Sequence, residues 1–228
     1  MVNTAVRMEA ARLRPATVDE LLETVTRRTD DAFAELAAVA EGRCDAPDLY
    51  VADLVHLLAI LHGEMPSVLD TALEYNADLE PFIEPAAQRL HRDRQWLAEL
   101  SVLTGYSVDT AGLSDAETAV RGLRDAMLTL ASSTRSGCAL GVFLGFLSDW
   151  PRLRAGLDQA GTLAFSARWP APAGDWTVPD SGDLYERAAR SFADRTTARA
   201  VGFGAGQWLL VHSQLLALVD ARACARPA

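Results

Sequence analysis

Hydrophobic residues recur along this chain with the period of an α-helix, and no segment shows the strict alternation of a β-strand. Segment 17–41 opens on Thr17 and Glu20, which are spaced as in a capping box, and an apolar stripe at helical spacing follows. Segment 47–62 starts at Pro47 and is apolar on nearly every face, as expected of a central helix. Both segments are therefore predicted to be helices.

Prolines, glycines and a second capping-box pattern mark the remaining helices. They are predicted at about 66–75, at 81–104 or 85–104, at 114–132 after the capping box of Ser114 and Glu117, at 137–148, at 151–161 from Pro151, and at 183–222, as one helix or two joined near Gly202. The chain is thus predicted to be an all-α, single-domain bundle of about seven or eight helices over residues 1–228. Segments 47–62, 137–148 and 200–219 are expected to form its core, and residues 1–15 to be flexible.

A long proline-rich segment, 168–182, interrupts the helices and contains Trp169 and Trp176. Two large aromatic side chains in a connection indicate that the loop covers something, because each buries a large apolar area when packed. Three roles fit this pattern: a structural plug over the end of the bundle, part of a dimer interface, or a lid over a ligand cavity.

Charge and residue usage exclude several functions. The net charge is −10, which argues against a nucleic-acid partner, since such binding depends on a basic surface. The chain has no Lys, which excludes Schiff-base chemistry and a P-loop lysine. Its three cysteines, Cys44, Cys138 and Cys224, are far apart and odd in number, which favours a reducing cytoplasm over a disulfide framework.

The uncharged run 200–219 is interpreted as a core helix and not as a membrane span, because Gln and His interrupt it.

Glycines recur at helical spacing in two of the predicted core helices. The two sets are Gly137, Gly141 and Gly145, and Gly202, Gly204 and Gly206. Glycine costs up to about 1 kcal/mol in a helix interior relative to Ala, so the repetition needs a reason. Two explanations fit the pattern. The first is close packing of two helix backbones. The second is a small hydrophobic or planar ligand lying against a bare backbone, near Trp208 and His212.

The histidines provide the other candidate chemistry. Asp53 and His56 lie three residues apart, as in helical di-iron sites, but no second such pair exists. His56 or His62 could join His91 and His212 at a metal or haem, or all of them could be hydrogen-bonded structural residues. The turn after His62 also brings Glu64 close in sequence, which is one way to place an acid–base pair. No metal ligand is assigned, and the identity of any cofactor stays open.

Three stretches of the chain, 57–70, 125–141 and 147–158, resemble an uncharacterised helical family of alphaproteobacteria, mainly sphingomonads. The resemblance directs attention to six positions, namely His62, Gly63, Cys138, Gly141, Asp149 and Trp150. Separately, the sequence GFGAGQ at 202–207 is similar to the glycine-rich distal helix of haem oxygenases. That second resemblance implies a haem-oxygenase-like fold.

No complete catalytic constellation is present: there is no G-x-S-x-G elbow, and no His neighbours a Cys. We therefore predict a soluble, cytoplasmic binding or interaction protein without a membrane segment, and a homodimer is one arrangement it can take. The alternative is a haem-oxygenase-like or ferritin-like enzyme or cofactor protein. For either class, the expected pocket is lined by His56, His62, Gly141, Gly202, Gly204, Gly206, Trp208 and His212.

Overall fold

A computed structural model describes residues 32–105, 112–135, 137–172 and 181–225, together with Thr17, Gly174, Trp176 and isolated positions between 20 and 30. Within these residues the chain forms eight α-helices, two 3-10 helices and no strand, which confirms the all-α prediction. The α-helices are α1 (Ala34–Ala40), α2 (Pro47–His62), α3 (Val68–Tyr75), α4 (Glu80–Thr104), α5 (Leu113–Ala131), α6 (Cys138–Phe165), α7 (Ser181–Phe192) and α8 (Arg195–Ala225). The 3-10 helices are Ala77–Leu79 and Ser166–Arg168.

One hydrophobic core runs through the bundle, with α2, α6 and α8 at its centre. Helix α2 packs against α4, α5, α6 and α8, which explains why its apolar residues surround the whole helix. The most extensive helix pair is α6 with α8. The three segments predicted to form the core are therefore confirmed as buried. No helix among the described residues combines the length and the hydropathy needed to cross a membrane.

Helices α6 and α8 approach each other backbone to backbone at two glycines. A Cβ on Gly141 would lie 2.0 Å from the Val201 carbonyl oxygen, and one on Gly204 would lie 2.2 Å from that of Cys138. Neither position has room for a methyl group, so close packing accounts for the glycine at each of them.

Several predicted helix ends differ from the observed ones. Pro151 does not divide the sixth helix, because α6 continues through it as one helix whose two halves pack on the same core. The last two helices separate at residues 193–194 and not near Gly202. There the Asp194 carboxylate accepts hydrogen bonds from the backbone N–H and the hydroxyl of Thr197, which starts α8.

The two predicted capping boxes have different outcomes. In the first, the Thr17 hydroxyl accepts a hydrogen bond from the Glu20 backbone N–H at 3.2 Å, as expected. The second is wrong, because α5 begins after Gly112 without a side-chain cap and Glu117 bonds to His56 instead. The structure has a capping box elsewhere, formed by Ser67 and Asp70 at the start of α3. Residues 1–15, predicted to be flexible, lie outside the described residues, and so do most residues of 17–31.

Candidate functional site

A chain of four hydrogen-bonded side chains crosses the centre of the bundle. It consists of His62 at the end of α2, Asp149 in α6, and Trp208 and His212 one turn apart on α8. The Nε2 atoms of His62 and His212 are 2.8 Å apart, and Nδ1 of His212 is 2.8 Å from Asp149 Oδ2. Trp208 donates its indole N–H to Asp149 Oδ1 at 2.6 Å. All four side chains are at most 1% exposed, so we call this group the buried histidine centre.

The carboxylate determines how protons are arranged in this centre. An ionised Asp149 only accepts, so His212 donates to it from Nδ1. If His212 is neutral, its Nε2 accepts a hydrogen bond from Nε2–H of His62, and Nδ1 of His62 is left as an acceptor. If His212 is charged, the direction between the rings reverses and Nδ1 of His62 carries the proton. In both arrangements His62 Nδ1 is buried without a partner among the described residues.

Positive charge and burial keep His62 neutral. Complete burial lowers the pKa of His62 well below its ordinary value, and His212, Arg124 and Arg94 lower it further by repulsion. The two arginines hold the turn that follows His62: Arg94 donates to the Gly63 carbonyl at 2.8 Å, and Arg124 donates to the Pro66 carbonyl at 2.9 Å. The two arginines thereby fix the backbone of the turn next to His62. Glu64, with 60% of its side chain exposed, lies 3.9 Å from Arg124 Nε and pairs with that arginine, not with His62.

A second buried carboxylate, Asp93 of α4, joins the long loop to the bundle. It accepts hydrogen bonds from the indole N–H of Trp150 at 2.9 Å, from that of Trp176, and from Arg154 Nε at 2.9 Å. Arg154 also donates to the Gly174 carbonyl at 2.7 Å. The loop is therefore tied to α4 and α6 through its backbone and through an indole ring.

Trp169 anchors the beginning of the same loop. It is 8% exposed, stacks on Phe165, and donates its indole N–H to Asp158 at 3.1 Å. Gly161 makes room for it, since a Cβ there would lie 2.1 Å from the indole ring. Trp96 donates to the Pro170 carbonyl at 2.8 Å. The described part of the loop thus covers the α4–α6 surface.

His56 and its neighbour Asp53 belong to separate interactions away from the buried histidine centre. His56 is 2.8 Å from Glu117 of α5, and Asp53 forms a buried, bidentate ion pair with Arg222 of α8 at 3.0 Å. The i, i+3 spacing that suggested a shared metal site instead directs the two side chains to different helices. Nor do the described residues contain a group of three or more His, Cys, Asp or Glu arranged to hold a metal ion.

A polar cavity of about 270 Å³ lies at the N-terminal end of α6, between α3, the Ala77–Leu79 turn and α7. We call it the α7 cavity. It is partly open to solvent, and its wall is formed by Tyr75, Asn76, Asp78, Leu79, Thr134, Gly137, Leu140, Arg187 and Ser191. Ser191 donates to the Arg187 carbonyl at 3.2 Å, and Asn76 donates to the carbonyls of Ala72 and Ala131.

The structure brings together part of the residue set predicted from the sequence. His62, Trp208 and His212 are in contact, with Trp208 and His212 ring centroids 4.8 Å apart. Gly141 and Gly204 lie where α6 and α8 touch, Gly202 and Gly206 are buried on α8, and His56 is elsewhere. None of these residues lines the α7 cavity.

Sequence reasoning missed Asp93, Arg154 and the residues of the α7 cavity other than Gly137. One signal was available for Asp93, because a buried indole N–H needs an acceptor and the chain has five tryptophans. Arg187 gave no signal, since an arginine on the polar face of an amphipathic helix has the pattern of an ordinary surface residue.

These features define an all-α bundle whose core contains hydrogen-bonded carboxylates and histidines. The chain belongs to a family of unknown function, DUF6975, whose sequence profile matches residues 25–227. Searches among curated proteins and among solved structures find no match, and so no haem oxygenase is among the similar proteins.

Proposed function

We propose that this protein is a non-catalytic binding protein and that its ligand site is the α7 cavity. The observation that carries the proposal is the contrast between the two polar regions. The buried histidine centre is closed, with its side chains at most 1% exposed and mostly bonded to each other. The α7 cavity is open to solvent and lined mainly by polar atoms. Small-molecule sites are concave and use a few convergent polar groups to orient the ligand, and the α7 cavity has these two features.

The size and the chemistry of the cavity suit a small polar molecule. A volume of about 270 Å³ is just below that of typical ligand pockets, which begin at about 300 Å³. The Thr134 hydroxyl and the Arg187 guanidinium supply donors in the wall, and the Ser191 oxygen supplies an acceptor. We expect such a ligand to stabilise the fold, by about 2.7 kcal/mol at a concentration of 100 times its Kd.

The test is a screen of small polar compounds against the full chain, by thermal shift and ligand-observed NMR. Ser191→Phe places a ring in the α7 cavity and should abolish every shift the screen produces. Ala189→Phe is the matched control, because Ala189 is exposed on the same helix. Compounds that raise the melting temperature of both variants alike bind elsewhere on the protein. If Ser191→Phe, still folded, kept all the binding of the parent chain, the α7 cavity would not be the ligand site.

The planar ligand expected between the glycine faces stays a separate proposal. It would require α6 and α8 to separate, because Gly141 and Gly204 now lie against the backbone of the opposite helix. A cytoplasmic location and a homodimer also remain proposals from the sequence. Support for the first is that Cys44, Cys138 and Cys224 are free cysteines.

A further inference from the structure

Arg187 is the one cation among the described residues that line the α7 cavity. Its Nη2 atom donates to Oδ2 of Asp78. Its Nε atom is buried and has no hydrogen-bond partner among the described residues. A buried N–H of a charged group without an acceptor costs free energy, so the arginine is poised for a further acceptor. The Nε and Nη2 atoms form the edge of a guanidinium that matches two oxygens of a carboxylate or phosphate.

The partner of Arg187 can be displaced at little cost. Asp78 lies in the short Ala77–Leu79 turn with 66% of its side chain exposed, and 31% of the Arg187 side chain is exposed. Ion pairs with this much access to water contribute little to stability, since solvent screens them. Asp78 is also the only carboxylate among the described lining residues, so its departure leaves the α7 cavity with a net positive charge.

We infer that the ligand of the α7 cavity is a small anion, bearing a carboxylate or phosphate group, that replaces Asp78 on the Nε–Nη2 edge of Arg187. This rests on the proposed function and adds the chemical class of the ligand. The Thr134 hydroxyl lies in the same wall and can donate to a remaining anion oxygen. Released Asp78 needs no new partner, because water solvates it.

Isothermal titration of the full chain with three probes tests the inference: inorganic phosphate, succinate, and the neutral succinamide. We expect one of the two anions to bind and succinamide not to bind, and the anion that binds identifies the group recognised. Arg187→Gln should weaken that binding by about tenfold or more, as expected for loss of a charged hydrogen-bond donor. Arg187→Lys keeps the charge but not the planar guanidinium, so its affinity for the anion should lie between those of the parent chain and Arg187→Gln.

Two further variants make the test specific. Arg190→Gln removes an arginine from the same helix whose side chain is 70% exposed, and it should leave the affinity unchanged. Asp78→Asn removes the competing carboxylate and should strengthen anion binding severalfold. If Asp78→Asn weakened binding as much as Arg187→Gln does, exchange between Asp78 and the ligand would be wrong.

Failure of the inference and failure of the proposed function look different. If succinamide or another neutral compound bound to the α7 cavity in a way that Ser191→Phe abolished, while neither anion bound, the binding function would stand and the anion inference would be overturned. If no anion or neutral compound bound in the screen, both would be wrong. Circular dichroism and the melting temperature of each variant show whether it is folded, and Arg187→Lys replaces Arg187→Gln if the latter is not.

Discussion

His62 and His212 share a single proton between their Nε2 atoms, which are 2.8 Å apart in the interior of the bundle. Only one of the two facing Nε2 atoms can carry a proton, so a charged His62 requires a neutral His212, and the second proton of His62, on Nδ1, is buried without an acceptor among the described residues. Arg94 and Arg124 add positive charge nearby, and Asp149 is on the far side of His212. His62 is therefore held neutral by its surroundings.

The first prediction concerns acid. Because the pKa of His62 is lowered in the folded state, His62 of the unfolded chain is protonated first as the pH falls, near its ordinary pKa of 6.5. Stability from this residue is fully present above that pH and decreases as the pH falls below it, by up to about 1.4 kcal/mol per pH unit. Urea unfolding at several pH values between 5 and 8 measures the slope.

His62→Gln should flatten that slope, since an amide does not titrate and can still donate to His212. His91→Gln is the control because His91 is exposed, and it should keep the parent slope. If parent and His62→Gln gave the same pH dependence below 6.5, His62 would not be held neutral in the fold.

The second prediction concerns the carboxylate of the buried histidine centre. Asp149→Asn should lower the free energy of unfolding by about 3 kcal/mol, because an amide cannot accept from both Trp208 and His212 without bringing its own N–H against a donor. Asp125→Asn, on the exposed face of α5, should change it by less than about 0.5 kcal/mol. Equal stability of the two variants would mean that Asp149 contributes no more than a surface residue.

The third prediction separates packing from ligand binding at the glycines. Gly204→Ala places a methyl group 2.2 Å from the Cys138 carbonyl oxygen, and should destabilise the fold by about 1–3 kcal/mol. Gly122→Ala is the matched control, since a Cβ there meets nothing within 4 Å and should stabilise α5 by up to about 1 kcal/mol. Thermal unfolding of both variants gives opposite signs if packing is the reason. A fully stable Gly204→Ala that had lost a bound ligand would favour a pocket between the glycine faces.

The fourth prediction concerns the loop. Replacing residues 170–179 with a short Gly/Ser linker removes the hydrogen bonds that Pro170, Gly174 and Trp176 make to Trp96, Arg154 and Asp93. With a net contribution of about 1 kcal/mol for each bond, stability should fall by about 3 kcal/mol. The melting temperature should fall equally at every protein concentration, as expected of a plug. A loss that depends on concentration, together with a smaller mass in light scattering, would indicate a dimer interface instead.

Much of the helical framework could be predicted from the sequence because apolar period, proline and glycine positions reflect local physics. α2 was placed at 47–62, which agrees with Pro47–His62. Pro151 predicts the start of a new helix, but α6 is continuous through it because the residues on both sides of the proline pack on the same core. The pairing of His62 with His212, which are 150 residues apart, is a non-local contact that no spacing rule reports. For Arg187 the sequence shows only a charge on a polar face, and the cavity beside it exists only in three dimensions.

The adjacent residues Asp149 and Trp150 have a consequence for the mobility of α6. Successive side chains on an α-helix point about 100° apart, and here one faces Trp208 and His212 while the other donates to Asp93. A rotation of α6 about its own axis would move both side chains together and break the hydrogen bonds of both carboxylates at once. Rotation of α6 about its axis is therefore opposed on two sides of the helix by hydrogen bonds to buried carboxylates, which fixes the direction in which each of its side chains points.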